Sequence, residues 1–252
     1  MDFTKFVSLL DHEALYFARA DQLGDPFEGS YTPVNQEMRP LWAEAQGLPL
    51  DVFDDLEHAR RMSPLLTFIS AWHLNNIESA AMWSLYLRSS EGIAIRTTFG
   101  RLCESLADDK HLIQAGLVQY IDYDTTLIPE GNVYWPFVHK RRSFEHEHEV
   151  RAVIHEHDYF HNVRARSTDP AIRAHALASK GLEDAPDLDL DEALPLPPTG
   201  LYIKTRLDVL IESVYVAPHA AAWFADLVKS VMRRYDREEP VRQSELGADP
   251  VY

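Results

Sequence analysis

Residues 144–155 read Phe144-Glu145-His146-Glu147-His148-Glu149-Val150-Arg151-Ala152-Val153-Ile154-His155. The run becomes β-branched and apolar after its charged start, which predicts a strand over 147–155. Alternate residues of a strand share a face, so Glu145, Glu147, Glu149 and Arg151 are expected on one side and His146 and His148 on the other. Three like charges in a row repel, and a buried carboxylate needs a partner. Two readings stand open. One is a site in which a carboxylate of raised pKa sits beside an arginine that orients an anion. The other is a solvated strand face with an ion pair to Arg151.

Outward from this strand, helices and strands intermix without a βαβ rhythm. Helical spacing is read over 3–11, 35–46, 50–62, 78–88, 100–109 and 219–235. In the last of these, Trp223, Leu227 and Val231 form the expected apolar stripe. Strands are read over 14–18, 65–72, 92–99, 117–123, 147–155, 200–205 and 211–217, and Val241–Arg242 is expected to close the sheet. The pattern predicts an α+β chain of one domain over 1–252, with a mixed, mostly antiparallel sheet flanked by helices. Residues 158–198 differ in character. They carry Asp169, Glu183, Asp184, Asp187, Asp189, Asp191 and Glu192, and end in Pro195, Pro197 and Pro198. They are expected to form an acidic insert, a helix plus a mobile loop.

The 252 residues are 46% hydrophobic and 25% charged, the balance of a globular chain with a core. One cysteine excludes a disulfide scaffold or a Cys-rich zinc module, and Cys103 is expected in the core. The net charge of −16 makes nucleic acid an unfavourable partner. No apolar run reaches the roughly 18 residues of a membrane span, and the start of the chain lacks a basic, cleavable leader. A cytoplasmic protein is the expectation.

Two further segments carry chemistry. On a helix over 78–88, Glu78, Met82 and Tyr86 would share a stripe flanked by Ser79 and Trp83, suited to a flat ring. The bland alternative puts Met82, Trp83 and Leu85 in the core, with Glu78 favoured by the helix dipole. The turn Gly24-Asp25-Pro26-Phe27-Glu28-Gly29 places two carboxylates on a loop, able to hold a ligand hydroxyl or a metal.

Four stretches together resemble one family: LYFARADQLGDPFEG (15–29), SAWHLNNIESAAMWSLYLRSSEGIAIRTT (70–98), KRRSFEHEHEVRAV (140–153), and LDVLIESVYVAP with VRQSEL (207–218, 241–246). The chain resembles the bacterial domain-of-unknown-function family 2971 from about residue 3 to 246, outside the acidic insert. It departs from the family pattern at Phe144 and Ala71, where the family often has Trp and Cys. The resemblance implies an intracellular domain and assigns no catalytic residue.

Three functions fit these residues. The first is an ADP-ribosyltransferase-like enzyme acting on NAD. The order of Arg19, Ser70 and Glu147-x-Glu149 is similar to that superfamily's Arg, Ser/Thr and Glu-x-Glu. Glu149 would stabilise the oxocarbenium, Glu147 would serve the acceptor, Arg19 would hold pyrophosphate, and Trp83 or Tyr86 would stack on nicotinamide. The second is a phosphoesterase or nuclease with Mg²⁺ or Mn²⁺ on Asp25, Glu28, Glu78, Glu147 and Glu149, and phosphate on Lys140 and Arg151. The third is a non-catalytic module for a small nucleotide-like ligand or a protein target. Glu149→Gln is expected to abolish whatever activity exists while leaving the melting temperature within a few degrees or raising it.

Overall fold

The computed structural model describes residues 1–87, 91–183, 185 and 188–248. Arg88, at the end of the expected helix, and Asp184 and Asp187 of the acidic insert lie outside them. The strands are Ala14–Arg19 (β1), Thr67–His73 (β2), Ile93–Arg96 (β3), Gln114–Leu117 (β4), Gln119–Ile121 (β5), His139–Arg141 (β6), Glu149–His155 (β7), Gly200–Lys204 (β8), Ser213–Val216 (β9) and Val241–Gln243 (β10). The class is α+β with a mostly antiparallel main sheet flanked by helices, as the sequence pattern predicts. The backbone divides into two compact units: Met1–Tyr16 with Leu74–His111 and Tyr202–Tyr252, and Phe17–His73 with Leu112–Leu201.

In the first unit β9 pairs parallel with β10 and antiparallel with β3. The helix Phe3–His12 starts where the Asp2 carboxylate accepts from the Lys5 amide (2.8 Å), satisfying one of the orphan N–H groups of the first turn. It buries Phe6, Leu9 and Leu10. The helix Ala222–Arg234 buries Phe224, Val228 and Met232, whereas Trp223 and Leu227 are exposed. The expected stripe is therefore one residue out of phase. Two apolar stripes lie side by side on this helix, and the Phe224 ring, edge-on to Phe3 at 5.6 Å, shows which one turns inward. Cys103 is exposed, a correction to its expected core position.

The second unit holds β4, β7 and β2, with the Phe17–Arg19 end of β1, of the five-stranded sheet ordered β4-β7-β2-β1-β8. β7 is its spine. It pairs antiparallel with β2 over seven residues, from Thr67↔His155 to His73↔Glu149, and with β4 on its other side. The face of Ile69 and Val153 packs with Ala20 and Phe137. Beside it β5 and β6 form a parallel two-stranded ribbon, with Tyr120 opposite Lys140 and Ile121 opposite Arg141.

Local boundaries differ from the sequence reading for identifiable reasons. The helix Leu50–Leu66 runs through Pro64 and takes Leu65 and Leu66 from the expected strand. The expected strand 117–123 breaks at Val118, whose amide turns to the Glu149 carbonyl (3.0 Å). Most of the acidic insert is folded. Helices Phe160–Arg164, Pro170–Ala178 and Leu190–Ala193 close on a small core of Ala165, Ala176 and Leu194. Arg166 crosses it, donating to the carbonyls of Asn162 (2.9 Å), Leu194 (2.7 Å) and Leu190 (2.9 Å).

The turn at 24–29 is closed by Glu28 N–H to Asp25 C=O (3.0 Å) and Phe27 N–H to the Asp25 carboxylate (3.0 Å). It ends at Gly29, whose φ of 71° favours glycine and where a Cβ would run into the Phe137 ring. Gly29→Ala therefore combines left-handed strain with overpacking. It is expected to destabilise by about 2–4 kcal/mol in urea unfolding.

Candidate functional site

Arg151 is the largest fully buried side chain, 1% exposed, and all five of its N–H groups are used. Nε donates to Glu149 Oε2 (2.6 Å). Nη2 donates to Glu149 Oε1 (3.3 Å) and to Glu28 Oε2 (3.0 Å). Nη1 donates to Glu28 Oε1 and to the Phe137 carbonyl (2.7 Å). The pairing with Glu28 is bidentate, the strong form for arginine. Glu149 Oε1 also accepts from Lys140 Nζ (2.7 Å), and Lys140 donates in addition to Glu147 Oε2. The Lys140 ammonium rests 4.5 Å from the centre of the Phe144 ring.

Five sequence-selected residues are thus brought into one cluster: Glu28, Lys140, Glu147, Glu149 and Arg151. They reach it differently from the expected strand face. Arg142–Glu147 is a 3₁₀ segment, and the chain enters β7 through His148 in the left-handed conformation, φ 41°. Glu145 is exposed, and Glu147 arrives from the turn with its carbonyl accepting from His73 Nδ1 (2.6 Å).

The cluster holds three carboxylates against two cations, and the pair on Lys140 responds asymmetrically. Burial would raise the Glu149 carboxyl. The Arg151 charge outweighs burial, with hydrogen bonds from Glu147, Arg151 and Lys140, and holds it down at about 2. Glu147 is raised above the ordinary carboxylate range, by burial and by the hydrogen bond shared with Glu149. Burial would lower Lys140, but its bonds to Glu147 and Glu149 raise it. A split carboxyl pair of this kind can hold and move a proton. Arg151, by contrast, has no N–H left for a ligand, which corrects its expected anion-orienting role.

The other selected residues lie elsewhere. Directly paired residues of adjacent strands share a face. Glu149 and Arg151 pair with His73 and Ala71, while Ser70 pairs with Ala152 and Arg19 with Phe68. Arg19 and Ser70 are therefore on the face opposite Glu149 and Arg151, and the expected shared cleft is not formed. Arg19 is buried against the Asp21 carboxylate (2.6 and 3.0 Å) and the Pro197 and Pro198 carbonyls, so it fastens the end of the insert. Ser70 Oγ accepts from Trp72 Nε1 (3.1 Å).

Glu78, Trp83 and Tyr86 belong to the first unit. The helix there is Ala80–Tyr86 with Ser79 as its cap, so Glu78 precedes it and the expected stripe is not helical. Glu78 accepts from Trp83 Nε1 (3.0 Å) and the Glu245 amide (3.3 Å). Tyr86 is exposed, and no residue of this helix is buried. Among the described residues no group of three or more His, Cys, Asp or Glu side chains is placed to hold a metal ion. Of the carboxylates expected to converge for Mg²⁺ or Mn²⁺, Glu28 and Glu149 share Arg151, Glu147 and Glu149 share Lys140, and Asp25 turns away to Arg141.

Asp25 leads to a feature that sequence reading missed. Its carboxylate accepts from Arg141 Nη2 (2.7 Å), and the Arg141 guanidinium carbon lies 4.3 Å from the centre of the Phe27 ring. Phe27 meets Tyr123 edge-on at 5.5 Å, and the Tyr123 hydroxyl is tied to the Ser30 hydroxyl and carbonyl (both 2.6 Å). Phe27, Tyr123, Arg141, Arg142, Asp122 and Asp124 line an open groove of about 400 Å³. Arg142 is exposed and makes no ion pair among the described residues. The signal was the alternation in His139-Lys140-Arg141: the strand sends Lys140 to the buried cluster and Arg141 to the other side.

No family model, no curated protein and no solved structure matches the chain.

The cluster reverses the stability expected of Glu149→Gln. Removing one partner of a buried ion pair leaves the others uncompensated, and a loss of about 3–5 kcal/mol is expected. Acid acts on the same group. The folded-state pKa is depressed to about 2, so its stabilisation is complete above the unfolded pKa near 4.5 and is lost as pH falls toward 2. Unfolding free energy measured from pH 5 to pH 2 is expected to fall less steeply in Glu149→Gln than in the wild type.

Proposed function

We propose that the unit Phe17–His73 with Leu112–Leu201 is a binding module for a small nucleotide-like ligand, taken up in the groove lined by Phe27, Tyr123, Arg141 and Arg142. The observation that carries this reading is the state of the two adjacent arginines. Arg141 is anchored on one side by Asp25 and Phe27, and Arg142 makes no ion pair among the described residues. An arginine held in place loses little entropy on binding, and a guanidinium suits phosphate and carboxylate geometry. The exposed Phe27 ring supplies a flat apolar wall beside the charge. Membership of family 2971, carried by the four sequence blocks, is part of the same proposal and adds no residue role.

A second reading is favoured by the split Glu147/Glu149 pair: glycosyl transfer from NAD, with Glu147 as proton carrier and Glu149 as the fixed negative charge. The placement of Arg19 and Ser70 on the opposite sheet face and the full commitment of Arg151 weigh against it.

No helix among the described residues is long and apolar enough to cross a membrane.

Calorimetric titration with AMP and NAD tests both readings. Binding of AMP that weakens at least tenfold in Arg142→Ala, with an unchanged melting temperature, is expected. Absence of binding by either nucleotide would defeat the module reading. Release of nicotinamide from NAD by wild type but not by Glu147→Gln would put the transferase reading in its place.

A further inference from the structure

We infer that the groove selects a nucleoside monophosphate, with the phosphate on Arg142 and Arg141, the ribose diol on Asp122 and Asp124, and the base against Phe27. The inference rests on the binding-module reading and narrows its ligand class.

Three features of the groove set this choice. The first is the spacing of unlike charges. Arg141 ends β6 opposite Ile121 in β5, so Arg142 and Asp122 follow side by side where the ribbon ends. The groove therefore has a cationic and an anionic wall, and a ligand must present an anion to one and hydrogen-bond donors to the other. A phosphate monoester beside a cis-diol does both. Carboxylates accept from sugar hydroxyls without needing a charged partner.

The second feature limits the charge of the ligand. Of the two arginines, Arg141 already shares its charge with Asp25. A single phosphate can be matched by what remains. A second or third phosphate would lie against the exposed carboxylates of Asp122 and Asp124, and like charges in a groove are disfavoured. Inorganic phosphate avoids that repulsion but leaves the aromatic wall and the carboxylates unused.

The third feature is preorganisation. The loop carrying the two aspartates is closed by bonds from the amides of Asp124 to the Asp122 carboxylate (3.1 Å) and of Thr126 to the Asp122 carbonyl (3.0 Å). Tyr123, between them, is nearly buried and pinned through Ser30, and it supports the Phe27 ring. The lining is thus set before a ligand arrives, which cuts the ordering cost of binding. A groove of about 400 Å³ is at the small end of ligand sites, in keeping with one nucleotide rather than two. Among the described residues no side-chain amide lines it, so the base is held by its plane and not by its edge.

The test is calorimetric titration of the full chain with AMP, GMP, 2′-deoxy-AMP, ATP, adenosine and inorganic phosphate. AMP and GMP are expected to bind within threefold of each other. Each should bind at least tenfold more tightly than ATP, adenosine or phosphate, and about fivefold more tightly than 2′-deoxy-AMP. Asp124→Asn, at an exposed loop position, should shrink the gaps to ATP and to 2′-deoxy-AMP. ATP binding as tightly as AMP, or phosphate as tightly as either, would overturn the inference while leaving an anion-binding groove in place. Failure of all six probes would remove the binding-module reading itself.

Discussion

A buried guanidinium with five N–H groups has to find five acceptors, and the arrangement around Arg151 follows from that demand. Moving such an ion out of water costs several kcal/mol unless charge and hydrogen bonds are both answered. β7 supplies Glu149, two residues away on the same face. The other bidentate partner, Glu28, comes from a turn more than a hundred residues earlier, and the fifth acceptor is the Phe137 carbonyl. The turn can reach Arg151 only if its end passes close over Phe137, which requires Gly29. Two carboxylates on one arginine leave an excess of negative charge. Lys140 answers it, and in doing so draws in Glu147.

The consequence is a division of labour among residues that look alike in sequence. Asp25 and Glu28 lie three apart on one turn, yet Glu28 closes the buried cluster while Asp25 steadies Arg141 at the surface. Lys140 and Arg141 are neighbours on β6, and the pleat sends them to opposite sides. The buried set holds the fold. The surface set, where Arg141 is held by Asp25 and Arg142 makes no ion pair among the described residues, is the part with capacity left for a ligand. Rigidity passes from one to the other through the 24–29 turn, because the bonds that fix Glu28 also fix Asp25 and Phe27.

Much of the architecture was legible. The helices near residue 3 and residue 222, the strand ending in Val153, Ile154 and His155, and the α+β class all follow from periodicity. What failed was local or nonlocal in an identifiable way. Leu65 and Leu66 sit where an apolar helix end and an apolar strand start look the same. His148 in a left-handed conformation is no signal that composition carries, and it moves Glu147 off the strand. In the helix Ala222–Arg234 two adjacent apolar stripes compete, and only the partner Phe3 decides between them. Among the candidate residues, Glu28, Lys140, Glu147, Glu149 and Arg151 meet in one cluster, because like charges so close in sequence must be resolved somewhere in space. That Arg151 is fully committed was not legible, because its partners Glu28 and the Phe137 carbonyl come from residues far away in the chain.

The order Arg19, Ser70, Glu149 illustrates the deeper limit. Sequence order says nothing about which sheet face a residue occupies, since a shift of one residue in register reverses every side chain of a strand. Here Ala18↔Ile69 and Ser70↔Ala152 put Arg19 and Ser70 across the sheet from Glu149. Charge has a similar range limit. A chain of net charge −16 repels anions at a distance, and screening confines any local attraction to about 8 Å at physiological salt. Arg141 and Arg142 therefore cannot act by steering anions from solution. On the binding-module proposal they act at contact, where geometry decides, and a ligand would gain from them only if the rest of it fits the mixed-sign groove in which they stand.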